Sequence, residues 1–464
     1  MMIQTKPELP ETGPELIQIG QTLTQALQSG LIRNQDTSLI FYDFTFLEQR
    51  IQRLTAGFSP ETLHGLAVKA CPLARILKWS SRINQSVGVE AASAGEVMLA
   101  LNCGFSPDRI VYDSPVKTRE EIAFALDKGI RINIDNLQEL ERIHDYIKRQ
   151  GAGWKPKSSI GLRINPQVGL GSILESSVAG EYSKFGVPIR SRKQEIEKAF
   201  LTHEWLIGLH LHVGSQGCPV SMLVDGTGIL YDFMLEINEK RIHRGFVPLS
   251  VFDIGGGLPV SYHPGSNPPV IEDYVDWIRQ RAPGLFSDSF APVADPESPE
   301  QEQNNAGRSR VQLITEFGRW TFTNAGWTVS RVEYVKDDPQ VKTAMLHVGA
   351  DLFVRECLNP RDWQHEYAVF DAAGHLKSGV DVKPYNLAGP LCFSGDIIAR
   401  DVQLPEVAEG DFLVIRDTGS YTYSMWSRYN SRQTPRIVGY YEEGARFEIL
   451  KERETPEETT TFWE

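Results

Sequence analysis

The chain is poor in the features that mark several classes of protein. Its five cysteines, at 71, 103, 218, 357 and 392, are scattered and odd in number, and none falls in a C-x-x-C pair. That argues against a disulfide framework or a zinc knuckle. No run of about 18 apolar residues occurs, so no spanning helix is expected. Positive charge is not in surplus: 47 Lys and Arg stand against 60 Asp and Glu, a net charge of −13. A main partner that is a nucleic acid or an anionic membrane is therefore not expected. The opening stretch MMIQTKPELPETGPE lacks the charged-then-apolar order of a signal peptide. The expectation is a soluble, reduced, cytoplasmic protein.

What the chain does have is a core. At 464 residues, 41% of them hydrophobic and 10% aromatic, it has enough apolar material for two globular domains. Its first two-thirds repeats one unit: a short apolar strand, a polar turn, a capped helix. The strands are LAVKA (66–70), VGVEA (87–91), RIVYD (109–113), RINID (131–135), SIGLRIN (159–165), LIGLHLHV (206–213), LSVFDI (249–254) and VQLITE (311–316). Several are apolar throughout, as strands buried on both faces are. Capping boxes predict helix starts at Thr45 with Glu48, Ser93 with Glu96, Thr118 with Glu121 and Asn136 with Glu139. Eight strands alternating with helices predict an α/β fold built on a (β/α)8 barrel, with an open doubly wound sheet as the competitor.

The barrel is expected over 37–326, with an exposed, Pro-, Ser- and Gln-rich insertion near 285–310. From about 327 the character changes: WTVSRVEYVKD, TAMLHVG, EYAVFDA, FLVIRD and RIVGYY read as strands with turns between them. Residues 1–36 and 327–464 are expected to form a β domain with an N-terminal extension and a mobile acidic tail, KERETPEETTTFWE.

LAVKACP (66–72) sets one lysine in an apolar run. Such a lysine finds a partner, extends its ammonium to water, or serves as an uncharged amine. In a barrel, chemistry sits where strands end, and the ends here carry Lys69, Glu90, Asp113, Asp135, Arg163, His212, Asp253 and Glu316. Each alone reads first as a cap or a barrel-mouth salt bridge; the ring of them, with a glycine triplet, points to a site. FDIGGGLPV adds three glycines, Gly255, Gly256 and Gly257, whose backbone N–H groups can approach an anion such as phosphate; a plain tight turn is the ordinary alternative. GLHLHVGSQ sets two histidines two apart, on one side of a strand. No third ligand follows by spacing, so no metal is assigned. An imidazole there can stack on a planar cofactor while Ser215 meets its phosphate. TEFGRW ends the last strand with Glu316, Gly318 and Arg319, an acid to hold a heterocyclic nitrogen protonated and a fork of donors for phosphate or carboxylate. Together these are the parts a pyridoxal phosphate site needs.

The motifs AVKA, SAGE, SKFG (183–186), HVGSQ, DIGGG, EFGR, GPLCFSGD (389–396) and DTGSYTYSM (417–425) run in the order of the barrel-type (fold type III) pyridoxal-phosphate decarboxylases. The chain resembles that family, which acts on diaminopimelate, ornithine and arginine, and resembles its diaminopimelate branch most. The resemblance implies an alanine racemase-like TIM barrel plus a C-terminal β domain. It implies decarboxylation of an amino acid or amino-acid derivative on pyridoxal 5'-phosphate, by a homodimer with shared sites. By position, Lys69 matches the lysine that carries the cofactor, and His212 the histidine stacked on its ring. Ser215 and Gly255, Gly256 and Gly257 match phosphate ligands, and Glu316 the acid at the pyridine nitrogen. Arg319, with Gly318 before it, matches an arginine for phosphate or substrate carboxylate. Glu90 and Arg163 resemble a supporting acid–arginine pair. Tyr421 matches a tyrosine near phosphate and substrate. Cys392 matches a cysteine that reaches in from the second subunit and protonates the product. An acid at the ring nitrogen favours decarboxylation over racemisation, the alternative activity on this fold; a non-catalytic regulator is the remaining alternative.

Three positions depart from that pattern. Phe317 stands where the family has proline. Phe393 stands where it has an acid that holds the substrate's distal ammonium. Asn359, four residues after the retained Arg355, stands where diaminopimelate enzymes have a tyrosine. A phenylalanine cannot offset an ammonium removed from water, which costs several kcal/mol if unpaired. The far end of the substrate is therefore expected to differ from that of meso-diaminopimelate.

Overall fold

The structure, a computed structural model, describes residues 14–151, 153–262, 268–286, 310–379 and 381–464. Most of the expected insertion, 287–309, lies outside them. Two compact units emerge. One holds residues 14–50, 260–262 and 321–464, the other 51–259, 268–286 and 310–320.

The second unit is the barrel. Its strands in chain order are Leu63–Ala67, Val87–Ala91, Ile110–Asp113, Arg131–Ile134, Ile160–Asn165, Leu206–His210, Val251–Asp253 and Gln312–Thr315. Each pairs in parallel with the next, and the last pairs with the first, closing the ring. The closure accounts for the continuous apolar character of the runs: Leu63–Ala67 and Val87–Ala91 are buried at every residue, with one face to the interior and one to the helices. All eight sequence-predicted strands are present, several shorter than expected. Leu63, Val111, Val251 and Ile314 form an apolar plug from four strands.

The predicted helix caps divide. Thr118 and Glu121 make the full reciprocal box. Ser93 and Asn136 cap their helices, but Glu96 and Glu139 accept from Ala92 and Asp135, one residue earlier than the box expects. The predicted Thr45 box is incorrect. Helix Phe44–Gly57 already contains Thr45, and Asp43 Oδ1 accepts from the Phe46 N–H in its place.

The first unit is built on a nine-stranded sheet among the described residues. Its path runs Ile397–Leu404, Lys383–Ala388, Lys342–Leu346, Gly326–Asp337, Ser38–Asp43, Arg436–Tyr441, Arg446–Lys451. Phe412–Ile415 pairs with Gly326–Asp337 and Tyr367–Phe370. Helix Pro14–Gln28 lays Leu16, Ile19, Leu23 and Ala26, spaced as one helical stripe, on Phe41, Trp327, Phe370 and Val438 of this sheet. Phe41 and Trp327 stack at 4.2 Å.

This division differs from the expected boundary at 37. Ser38–Asp43 pairs antiparallel with Gly326–Asp337 and parallel with Arg436–Tyr441, so it belongs to the β domain. The tail expected to be mobile forms the end of strand Arg446–Lys451 and helix Pro456–Trp463, which is closed by a capping box of Thr455 and Glu458. No helix among the described residues is long and apolar enough to cross a membrane.

Candidate active site

Strand Leu63–Ala67 stops two residues short of Lys69. The lysine sits instead on a single 3-10 turn, Val68–Ala70, with Val68 and Ala70 buried on either side. This corrects the reading of 66–70 as strand and answers the question the apolar run raised. The turn buries its flanks and releases the long side chain, which is 41% exposed and ends against Glu90 Oε2. Gly318 makes room for the turn: a Cβ there would lie 2.8 Å from that of Ala70 and 2.9 Å from that of Ala67.

Below Lys69 the barrel holds a layer of buried charge. Arg163, His210 and Asp253 stand in register across three neighbouring strands. Arg163 Nη1 lies 2.9 Å from Asp113 Oδ2, and its guanidinium stacks 4.6 Å from the ring of Phe185 in the SKFG segment. The expected Glu90–Arg163 pair is therefore not formed; the partner of Glu90 is Lys69 and that of Arg163 is Asp113. Glu90 is completely buried, and that burial pushes its pKa up to about 8 against the pull of the Lys69 ammonium. Asp113 is held below the usual carboxylate range, because Arg163 and His210 outweigh its burial. Asp253 is raised well above that range by burial and by Glu316.

The loops above this layer carry the other candidates. The strand with both histidines ends at His210, so His212 lies beyond it and does not share the strand face expected for the pair. His212 Nδ1 accepts the Gly256 N–H at 3.1 Å, which puts the ring proton on Nε2. Burial and the nearby Arg163 and Lys69 depress its pKa to about 3, so the imidazole is neutral. Asp253 Oδ1 accepts the Gly255 N–H, and Gly255 O accepts the Glu316 N–H. The glycines serve packing as much as approach. A Cβ on Gly256 would fall 2.2 Å from Glu316 O, and one on Gly257, whose φ is +108°, 2.1 Å from Gly214 O. Arg319, opening the helix Arg319–Phe322, donates from Nε to Ser215 Oγ at 2.9 Å.

Glu316 follows the last barrel strand and is buried. Oε2 lies 3.5 Å from His210 Nε2, while Oε1 has no hydrogen-bond partner among the described residues. Burial would raise its pKa; His210 more than offsets this and holds it below the ordinary value. Phe317 is buried among Phe58, Tyr274 and Trp320, so the departure from proline there anchors the loop by packing.

The β domain carries the remaining candidates. Arg355 stands on helix Val354–Leu358, its guanidinium 4.3 Å from the Trp363 ring and 5.9 Å from that of Tyr421. Its Nε and Nη1 are buried without partners among the described residues. Tyr421 holds a φ of 56°, uncommon for a residue with a side chain. Asn359 gives its amide to Asp362 Oδ2 at 2.8 Å, so that side chain is already committed. Phe393 packs edge-on to Tyr429. Cys392 is exposed, and its N–H donates to Asn430 Oδ1. Asp396 pins this loop by accepting from Ala350 and Leu391 at 2.6 Å each. Sequence reasoning singled out neither Trp363 nor Asp396 and gave His210 no role. The Asp in GPLCFSGD was the one available signal among them.

These features are those of a known class. A family model of the pyridoxal-dependent decarboxylases, for their pyridoxal-binding domain, matches residues 46–296, and the chain belongs to that family of amino-acid carboxy-lyases. Within it, the chain is 31% identical to the diaminopimelate decarboxylase of Methanothermobacter thermautotrophicus over 433 residues, 90% of each protein. Two solved structures, diaminopimelate decarboxylases of Helicobacter pylori and of M. jannaschii, each complexed with L-lysine, are both 25% identical to it. Their TM-scores are 0.76 and 0.77. Each comparison covers 94% of this chain, with 99% of the first relative and 94% of the second.

Proposed function

We propose that this decarboxylase binds pyridoxal 5'-phosphate through Lys69 and removes the α-carboxylate of an amino acid or amino-acid derivative. The observation that carries the reading is Glu316. It is a buried carboxylate with a lowered pKa and one oxygen without a partner among the described residues, which suits a protonated ring nitrogen. The other residues fit the same group. The neutral imidazole of His212 offers a flat apolar face. Arg319 and Ser215 offer donors for a phosphate, whereas in the glycine loop the N–H groups of Gly255 and Gly256 are already given to Asp253 and His212.

Bound there, pyridoxal phosphate supplies the electron sink that decarboxylation requires. The chain supplies the rest. Glu316 keeps a proton on the ring nitrogen. Glu90, with its pKa near 8, is poised to exchange a proton with the Lys69 amine. Arg355, with two buried N–H groups unpartnered among the described residues, suits a carboxylate, and Tyr421 lies beside it. Cys392 delivers a proton to the carbon that has lost its carboxylate. The family resemblance supports a cytoplasmic, head-to-tail homodimer in which the partner subunit's Cys392 serves this role.

The distal end of the substrate differs from that of meso-diaminopimelate, either lacking its distal ammonium or being larger. Phe393 offers no counter-charge, and Asn359 is tied to Asp362. Purified enzyme is expected to develop the cofactor's visible absorbance and Lys69→Ala to lose it. An unchanged band in the variant would refute the cofactor assignment. A panel of amino acids and conjugated amines scored for carbon dioxide identifies the substrate, and efficient lysine formation from meso-diaminopimelate overturns the distal-end reading.

A further inference from the structure

His210 closes strand Leu206–His210 and is completely buried. Its ring nitrogens face two different acids: Nδ1 lies 3.6 Å from Asp113 Oδ1, and Nε2 lies 3.5 Å from Glu316 Oε2. Both contacts are at ion-pair distance, and neither nitrogen makes a hydrogen bond among the described residues. A neutral imidazole has one N–H and one lone pair. In this position the lone pair would point at a carboxylate oxygen, setting two acceptors against each other in a buried site, where an unsatisfied polar contact is most costly. A ring protonated on both nitrogens presents a donor to each acid.

The charges around the ring agree. Asp113 comes from strand Ile110–Asp113, Asp253 from Val251–Asp253, and Glu316 follows Gln312–Thr315; all three favour the imidazolium. Against them stands the burial itself, and Arg163, the register neighbour of His210, is already paired to Asp113. The acids prevail, and the pKa of His210 rises to about 9. Two residues on, His212 is neutral and accepts a backbone N–H. Asp113, His210 and Glu316 are close enough to suggest a metal site. However, the two acids face opposite nitrogens of the ring, and one ion coordinates only one of them.

We propose that His210 is a positioning residue, an imidazolium bridging Asp113 and Glu316 that keeps Glu316 ionised and fixes its carboxylate, leaving Oε1 for the cofactor. The role of Glu316 rests on the function proposed above; the charge and placement of His210 do not.

The test uses full-length protein labelled with 15N-histidine, with and without pyridoxal phosphate, followed by long-range 1H–15N correlation spectra. One of the ten histidine rings is expected to keep both ring protons well above the ordinary 6.5, with a midpoint near 9. His210→Gln removes that signal. Asp113→Asn and Glu316→Gln, each deleting one facing charge, lower its midpoint by about one to three units. If every histidine ring has lost a proton by about pH 8, between those two values, the proposal is overturned without reference to any variant. A midpoint that neither substitution lowers also overturns it. The catalytic readout is the acid limb of kcat against pH, which moves up by about one unit in His210→Gln as Glu316 becomes easier to protonate; an unmoved limb refutes the positioning role. If the imidazolium signal is present but Glu316→Gln binds cofactor and turns over as wild type does, the histidine assignment stands and the role given to Glu316 falls.

Discussion

Gly318→Ala tests how closely the loop after the last barrel strand fits the turn that carries Lys69. The added Cβ would lie 2.8 Å from that of Ala70 and 2.9 Å from that of Ala67, whereas carbon atoms in contact sit about 3.5–4.0 Å apart. The turn or the loop must therefore move by about 0.6–1.2 Å. Overpacking of this kind costs about 1–3 kcal/mol of stability. A displacement of about 1 Å at a catalytic group lowers the rate on the order of a hundredfold. The assay is carbon dioxide release at saturating substrate, with the thermal midpoint measured in parallel. Ala70→Gly opens space on the turn, so the double variant Gly318→Ala with Ala70→Gly is expected to regain about tenfold in rate over Gly318→Ala alone, the non-additivity expected of residues in contact. A single variant whose kcat stays within about twofold of wild type refutes the reasoning. So does a double variant slower than the single one, since the clash would then not be the cause.

Two further outcomes follow from the same geometry. If the active sites are shared between subunits, mixing inactive Lys69→Ala and Cys392→Ala proteins under subunit exchange yields dimers with one intact site, and about a quarter of wild-type activity returns; no recovery refutes the sharing. His210 also makes stability depend on pH. Its folded pKa is raised from 6.5 to about 9, so its contribution is complete below about 6.5 and is lost as pH rises through about 9. Asp113 and Glu316, both lowered, contribute above the ordinary carboxylate range and lose that contribution as pH falls through their depressed values. The difference in thermal midpoint between wild type and His210→Gln should therefore be larger near pH 6.5 than beyond pH 9, and a difference that grows with pH contradicts the bridge.

The barrel was legible because its signal is local. Strands buried on both faces read as apolar runs, and polar residues at their ends announce the mouth. What failed was anything set by a distant partner. Ser38–Asp43 is as apolar as a barrel strand, yet its neighbours are Gly326–Asp337 and Arg436–Tyr441, a pairing that no pattern within the segment records. Lys383–Ala388 and Ile397–Leu404 carry polar, half-exposed residues and showed no alternation clear enough to mark them. At the site, residue types and order pointed to Lys69, His212, the glycines and Glu316, but not to who touches whom. Glu90 was matched with Arg163, while the structure pairs Glu90 with Lys69 and Arg163 with Asp113. His210 was noted as one of a histidine pair but given no role, because its neighbours in the layer are contributed by other strands.

The position of Ser38–Asp43 in the middle of the second sheet bears on synthesis. The segment leaves the ribosome early, but its antiparallel neighbour begins at Gly326, some 283 residues later by the difference between 326 and 43. At about 5–20 residues per second, this apolar hexapeptide waits roughly fifteen seconds to a minute for its mate. Throughout that interval it is a natural client for a chaperone, and a fragment begun at residue 326 would lack its central strand altogether.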